Sequence, residues 1–235
     1  LTSSADDLFR IATGGNLGVR KSFFESIGGF DPSFRQWGGE DIEFGFRSFN
    51  SGAVLIPERL AKAWHQGEGA SPDPDEEVSL EQQRHRLSHL IPERTFRDST
   101  PGRNFEIPML AVLVDAAEQN FEEVCAQIDH VLASSFHDLV IGLEIPESHI
   151  KKISLERRYG PDSRVLVTKD IFAEFPFVPF LLEMPSGFCV AKDHIEYLMN
   201  HIDNKGVLRV DIPIWGEIRL AKTRALKRSK QMGIV

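Results

Sequence analysis

Hydrophobic positions change their spacing twice along this chain, and each change marks a change of structure. From Asp41 to Asn50, Ile42, Phe46 and Phe49 follow at intervals of four and three, the stripe of an amphipathic helix. Gly52 is placed to end that helix, and the unbroken run Ala53-Val54-Leu55-Ile56 before Pro57 reads as a buried strand. Upstream, residues 19–27 pass from a strand end into a short helix, which Gly28-Gly29-Phe30-Asp31 breaks. Residues 67–75 are a loop by composition and 76–90 a polar helix, followed by an irregular stretch rich in Arg, Thr, Ser and Pro up to Glu106.

A second pattern begins at Ile107. Apolar runs at 109–114, 139–143 and 164–168 read as strands, and residues 121–134 and 150–159 read as the helices between them. Strands alternating with helices at this spacing predict a parallel, Rossmann-like sheet. Gly-x-Gly-x-x-Gly is absent, so a dinucleotide-binding loop has no support. The expected organisation is therefore 1–66, a linker with a helix at 67–106, and 107–235. Residues 186–192 echo residues 14–20, and Trp215-Gly216-Glu217 echoes Trp37-Gly38-Gly39-Glu40. With one glycine dropped, Glu217 falls on Glu40, Ile218 on Asp41 and Arg224 on Arg47.

With 235 residues and 41% hydrophobic content, the chain can bury one or two cores. A formal net charge of −8 argues against a general nucleic-acid binder. Arg219, Lys222, Arg224, Lys227, Arg228 and Lys230 run against that balance; they read as a solvated helix face, or alternatively as a contact with anionic lipid, hence peripheral membrane association, or with a phosphorylated ligand. Cys125 and Cys189 both lie in apolar runs and read as buried free thiols, which suits a reducing cytoplasm. No run reaches the roughly 18 apolar residues of a membrane span. Oligomeric state is left open by the sequence.

The chemistry concentrates in Trp37-Gly38-Gly39-Glu40-Asp41 and in Trp64-His65-Gln66. Trp37 offers an aromatic face, two glycines admit a ligand close to the backbone, and two carboxylates stand where a helix begins. A sugar site uses such parts: a platform for the apolar face of the ring, acceptors for its hydroxyls, and a base. Each has a plainer alternative. Asp41 can be a first-turn acid favoured by the helix dipole, Trp37 core filling, Glu40 a surface acid and His65 structural, while the glycines can serve a tight turn alone. His85 and His89 are one helical turn apart but lie between arginines, which reads as a solvated face.

From Thr13 to Gln66 the chain resembles the C-terminal half of inverting glycosyltransferases of the GT-A fold. It is most similar to the family 2 enzymes that polymerise bacterial polysaccharides and to the β-1,4-galactosyltransferases. The pieces that carry the resemblance are Gly14-Gly15-Asn16, Gly28-Gly29-Phe30-Asp31, Trp37 to Asp41, Arg47 and Trp64-His65-Gln66, in matching order and with matching gaps. The resemblance implies an α/β, GT-A-like architecture of mixed sheets with flanking helices, whose first domain is incomplete at its N-terminus. It implies that Asp41 is the catalytic base, that Trp37, Gly38, Gly39 and Glu40 bind the acceptor, and that Gly15 and Asn16 border the donor. It further implies that His65 ligates a divalent metal, Mn²⁺ or Mg²⁺, which neutralises the departing diphosphate. The implied partners are a nucleotide-sugar donor and a glycan acceptor.

In such enzymes the donor half ends in a short acidic motif, commonly Asp-x-Asp, which the resemblance places before Leu1. Asp73-Pro74-Asp75 has the letters but stands after the acceptor half, and reads as a decoy. Residues 107–235 follow the order of a second, degenerate GT-A-like domain: Asp115 ends its first strand, but Gly142-Leu143-Glu144 replaces an acidic pair, and Phe175-Pro176-Phe177-Val178-Pro179 stands where a metal motif is expected. Two functions are therefore open. One is a fragment of a metal-dependent, inverting glycosyltransferase that is inactive without its donor half; the other is a non-catalytic carbohydrate- or protein-binding module derived from one.

Overall fold

A computed structural model of the chain describes residues 5–35, 38–64, 66, 76–97, 104–117, 119–146, 148–168, 170–203 and 205–234, with the backbone alone for 76–80. Trp37, His65 and Asp73-Pro74-Asp75 lie outside the described residues. The chain divides into two units, Leu1–Asp98 and Ser99–Val235.

The first unit is built on helices: α1 (Lys21–Ser26), α2 (Glu40–Asn50) and α3 (Glu76–Leu90), with short 3-10 turns at Leu8–Ile11 and Gly14–Asn16. Among its described residues there is no strand. The run at residues 53–56 joins no strand among the described residues, and Val54 and Ile56 are 69% and 72% exposed. An apolar run becomes a buried strand only when a neighbouring strand takes up its backbone groups, and none does so here among the described residues.

Helix α2 carries the predicted Phe46 and Phe49, yet it is buried from Glu43 to Asn50 on every side rather than along one stripe. Phe9 meets Phe46 edge-on with ring centroids 5.5 Å apart, while Phe44, on another face, packs against Phe24 and Phe30 at 5.3 and 5.0 Å. Gly45 is where the Leu8–Ile11 turn crosses the helix: a Cβ there would stand 2.6 Å from the Phe9 carbonyl oxygen. A helix enclosed this way must also settle its polar side chains. Arg47 does so by donating to Glu43 one turn earlier, at 2.7 Å from Nη2 to Oε2, and to the carbonyls of Ile27 and Gly29 at 2.6 Å each. The loop that breaks α1 is thereby tied to the middle of α2.

The second unit is a six-stranded mixed sheet with helices on both faces. In chain order it comprises β1 (Leu110–Asp115), α4 (Phe121–Leu132), β2 (Leu139–Glu144), α5 (Lys152–Tyr159), β3 (Val165–Thr168), α6 (Ile171–Glu174), β4 (Phe180–Glu183), α7 (His194–His201), β5 (Val207–Ile212), β6 (Gly216–Lys222) and α8 (Thr223–Gln231). Strand order is β3-β2-β1-β4-β6-β5, with the first four parallel and the last two antiparallel additions. The strands β1 and β2 read as unbroken apolar runs because both faces are covered. Val112, Ile141 and Leu182 bury against Val124, Ile128 and Ile195 on one face, and Ala111, Val140 and Leu181 against Ile171 and Val178 on the other. A capping box, Asn120 with Glu123, starts α4.

The sequence echo does not survive as structure. Glu40-Asp41 open a helix, whereas Glu217-Ile218 lie inside β6, where Ile218 is a core residue at 3% exposure. Ile218 therefore fills the sheet core and does not mark the lost position of a base. The C-terminal basic stretch is likewise no single solvated face: Lys222 is buried with its ammonium on the Asp203 carbonyl, Arg224 is buried, and burial pushes the Lys227 ammonium below its usual range as it donates to Pro176. Both cysteines are free; Cys125 is buried, but Cys189 is only partly so. No described helix is long and apolar enough to cross a membrane.

Arg47→Met is expected to destabilise the first unit by about 3–5 kcal/mol, because Glu43 is left enclosed and unpaired. Chemical denaturation of the whole chain measures it; a loss under about 1 kcal/mol would contradict the bracing role.

Candidate functional site

Glu40 and Asp41 occupy the first turn of α2, after two glycines with φ of +100° and +91°. Those values favour glycine, and the two positions are also crowded. A Cβ on Gly38 would lie 3.2 Å from the Gln83 amide oxygen of α3, and one on Gly39 would lie 3.2 Å from Phe34. The pair thus makes a tight turn against α3, a packing reason additional to ligand approach. Acids in this first turn suit the positive end of the helix.

Three short pieces meet at that turn. The Gly14 N–H donates to Asp41 Oδ2 at 2.9 Å, and the Ile42 N–H donates to Oδ1 at 2.7 Å. Each carboxylate oxygen can accept twice, so Asp41 is oriented by backbone donors and retains acceptor capacity on both oxygens. Glu40 differs: its Oε2 is enclosed and has no hydrogen-bond partner among the described residues. An enclosed acceptor without a donor costs about 1–3 kcal/mol.

Asn16, read as bordering the donor, gives its amide N–H to the Ala61 carbonyl at 2.8 Å. It therefore holds the chain that leads to Trp64, which is 91% exposed. Gly15 is exposed, and a Cβ there would meet nothing. The described structure brings Gly14 to Asp41 and Asn16 to Ala61, while Trp37 and His65 fall outside it. Sequence reasoning missed α3 as a wall of this site. The helix is polar, and only Leu87, Ser88 and Leu90 of its described side chains are buried, so periodicity gave no signal. Arg86 of α3 also reaches Asp31 at 3.2 Å. Burial works to raise the Asp31 carboxyl, but the Ser33 backbone and side chain together with Arg86 outweigh it and hold Asp31 below its ordinary range.

Among the described residues, no group of three or more His, Cys, Asp or Glu side chains could hold a metal ion. Glu40 and Asp41 alone do not make up a metal's donor set.

In the second unit a group of acids collects where the parallel strands end. Asp115 and Glu144 are direct neighbours in register, and Glu183 ends β4. Burial first, then the charges of Asp115, Glu183 and Asp170, push the Glu144 carboxyl above its ordinary range. Arg219 pairs with Glu183 at 3.1 Å. Glu144 was passed over in the sequence because its closeness to Asp115 depends on strand register.

Residues 9–62 match the family described as the N-terminal domain of galactosyltransferase. The chain is 27% identical over 147 residues to a chondroitin synthase of Pasteurella multocida (strain Pm70) and 28% identical over 151 residues to a hyaluronan synthase of Pasteurella multocida. Each match covers 60% of this chain and 14% of the relative, so the chain spans a small part of either protein. Both are longer than the first unit and so extend into the second. A stretch of 58 residues, 25% of this chain and 8% of the relative, is 41% identical to a chondroitin synthase of Escherichia coli.

Because Glu144 holds its proton more tightly folded than unfolded, stability falls as pH rises through its raised range. Glu144→Gln is expected to raise the Tm at neutral pH, with the gain vanishing at pH well below the ordinary glutamate range. Scanning calorimetry across pH measures it; equal or lower stability of the variant at neutral pH would contradict the crowding of charge.

Proposed function

We propose that this chain, whose matches support a GT-A, family 2-like glycosyltransferase, supplies the acceptor side of an inverting sugar transfer. The observation that carries the proposal is the pair of acids at the start of α2: Asp41 is aimed by two backbone N–H groups, and beside it stands the half-buried Glu40 carboxylate. A glycan hydroxyl donates to the Glu40 carboxylate, while Asp41 takes the proton of the attacking hydroxyl. The new bond forms from that oxygen to the anomeric carbon as the bond to the diphosphate breaks on the opposite face, and the electron pair leaves with the diphosphate. Trp37 stacks on the acceptor ring, Gly38 and Gly39 let it approach, and Gly15 and Asn16 border the nucleotide-sugar donor. His65 is the protein ligand proposed for a divalent cation, Mn²⁺ or Mg²⁺, whose contribution is to neutralise the leaving diphosphate.

The relatives support a class of acceptor to try. Chondroitin and hyaluronan synthases make named glycans, and oligosaccharides of these two kinds are the first acceptors to test. Asp41→Asn keeps the shape of the side chain and removes the base, but because the Gly14 and Ile42 N–H groups bind different oxygens it keeps only one of the two acceptor contacts. In the protein as the cell makes it, the variant is expected to lose transfer by about 100-fold or more while staying folded, its stability lowered by no more than the roughly 1 kcal/mol of one hydrogen bond. Turnover within a few-fold of wild type would remove Asp41 from the base role.

A further inference from the structure

We infer that the outer edge of the second unit's sheet is a self-complementary docking strand, and that its occupant is β5 of a second copy of this chain. Among the described residues, strand β5 is the last in the sheet and pairs only with β6. The phase of that pairing is fixed by the Lys222 N–H, which donates to the Gly206 carbonyl at 2.8 Å. Hydrogen-bonded positions alternate along an antiparallel ladder, so Leu208, Val210 and Ile212 direct their backbone groups to β6. Val207, Arg209 and Asp211 direct theirs outward.

The side chains make this edge selective. Exposed edges are commonly protected by charge, since like charges repel a second strand. Here Arg209 and Asp211 are both exposed, share one face of the sheet and carry opposite signs. In an antiparallel pairing with its two-fold axis at Val210, Arg209 faces Asp211 of the second copy, and Asp211 faces its Arg209. Both of these positions fall on the outward-directed backbone groups, so each also makes the pair of N–H···O=C bonds of a ladder rung. Pro213, lacking an N–H, ends the ladder beyond Val207.

Within one chain the same charges are poorly matched. Arg209 lies opposite Arg219 and Asp211 opposite Glu217 in the β5–β6 register. Arg209 escapes diagonally to Glu217 at 3.1 Å, and Arg219 turns to Glu183. Asp211 is left opposite a like charge, without an ion-pair partner among the described residues. Arg209 of a second copy supplies the cation that it lacks.

On the other face the two-fold sets Leu208 against Ile212 of the second copy and Val210 against itself. Val210 and Ile212 also line an open apolar cavity of about 340 Å³ with Leu198, Tyr197 and Ile218, so the pairing covers an apolar row that is now half-exposed.

Charge reversal tests the pairing on the full chain by light scattering and sedimentation equilibrium. Wild type is expected at twice its 26.5 kDa. Arg209→Asp alone puts acid against acid, and Asp211→Arg alone puts base against base; each is expected to weaken the dimer about tenfold or more, with an unchanged circular dichroism spectrum. Mixing the two single variants restores opposite charges at both positions, and so does the double variant; both are expected to dimerise with an affinity close to wild type. A wild type that stays monomeric up to about 100 μM would overturn the inference. So would single variants that dimerise as wild type does, or a mixture that fails to recover.

Discussion

The buried pairing of Arg47 with Glu43 is the constraint on which the first unit depends. The central helix is enclosed on all sides, so a guanidinium within it must find every partner locally. It finds the carboxylate one turn earlier, the carbonyl of Ile27 at the end of α1 and that of Gly29 in the Gly-Gly-Phe-Asp loop. The same contacts fix the loop that carries Asp31, the helix that carries Asp41, and through the Phe24–Phe30–Phe44 cluster the packing between them. A buried ion pair is a poor source of net stability, but once present it strongly penalises any arrangement that separates its members. That penalty suits a site needing two adjacent carboxylates held in a definite direction.

Around this brace the two acids are treated differently. Asp41 receives backbone donors on both oxygens, one from its own helix and one from the Gly14 turn, so its direction is set before any ligand arrives. Glu40 Oε2 has no hydrogen-bond partner among the described residues. Orientation of one group, with a second carboxylate beside it, is the division expected between a base and a hydroxyl-binding residue. The second unit gathers acids at its strand ends, where crowding raises Glu144 and Arg219 offsets Glu183. Its sheet edge carries charges arranged to meet their own copy.

What the sequence made legible was what depends on near neighbours. The helix from Glu40, the break at Gly28-Gly29 and the strand–helix alternation after Ile107 are set by local spacing and by glycine, and all are present. Enclosure of α2 on its Phe44 side was hidden because the partners, Phe24 of α1 and Phe30 of the loop after it, come from a separate stretch of chain. Val54 and Ile56 misled because an apolar run does not reveal whether a neighbour strand exists. The echo at Trp215 misled because a few matching letters ignore backbone conformation, which is a hairpin and strand there and a helix start at Glu40. At the site, the acids were legible from their motif, but the Gly14 donor, the Asn16–Ala61 tie and the wall formed by α3 are tertiary contacts that no spacing encodes.

The most direct measurement of the central claim is a titration of the isotopically labelled chain with chondroitin and hyaluronan oligosaccharides, followed through the amide signals of Gly14 and Ile42. Both amides donate to Asp41, so an acceptor bound at Glu40 and Asp41 should shift the two together along one saturable curve. Saturable binding that leaves both signals unmoved while shifting residues elsewhere would contradict it.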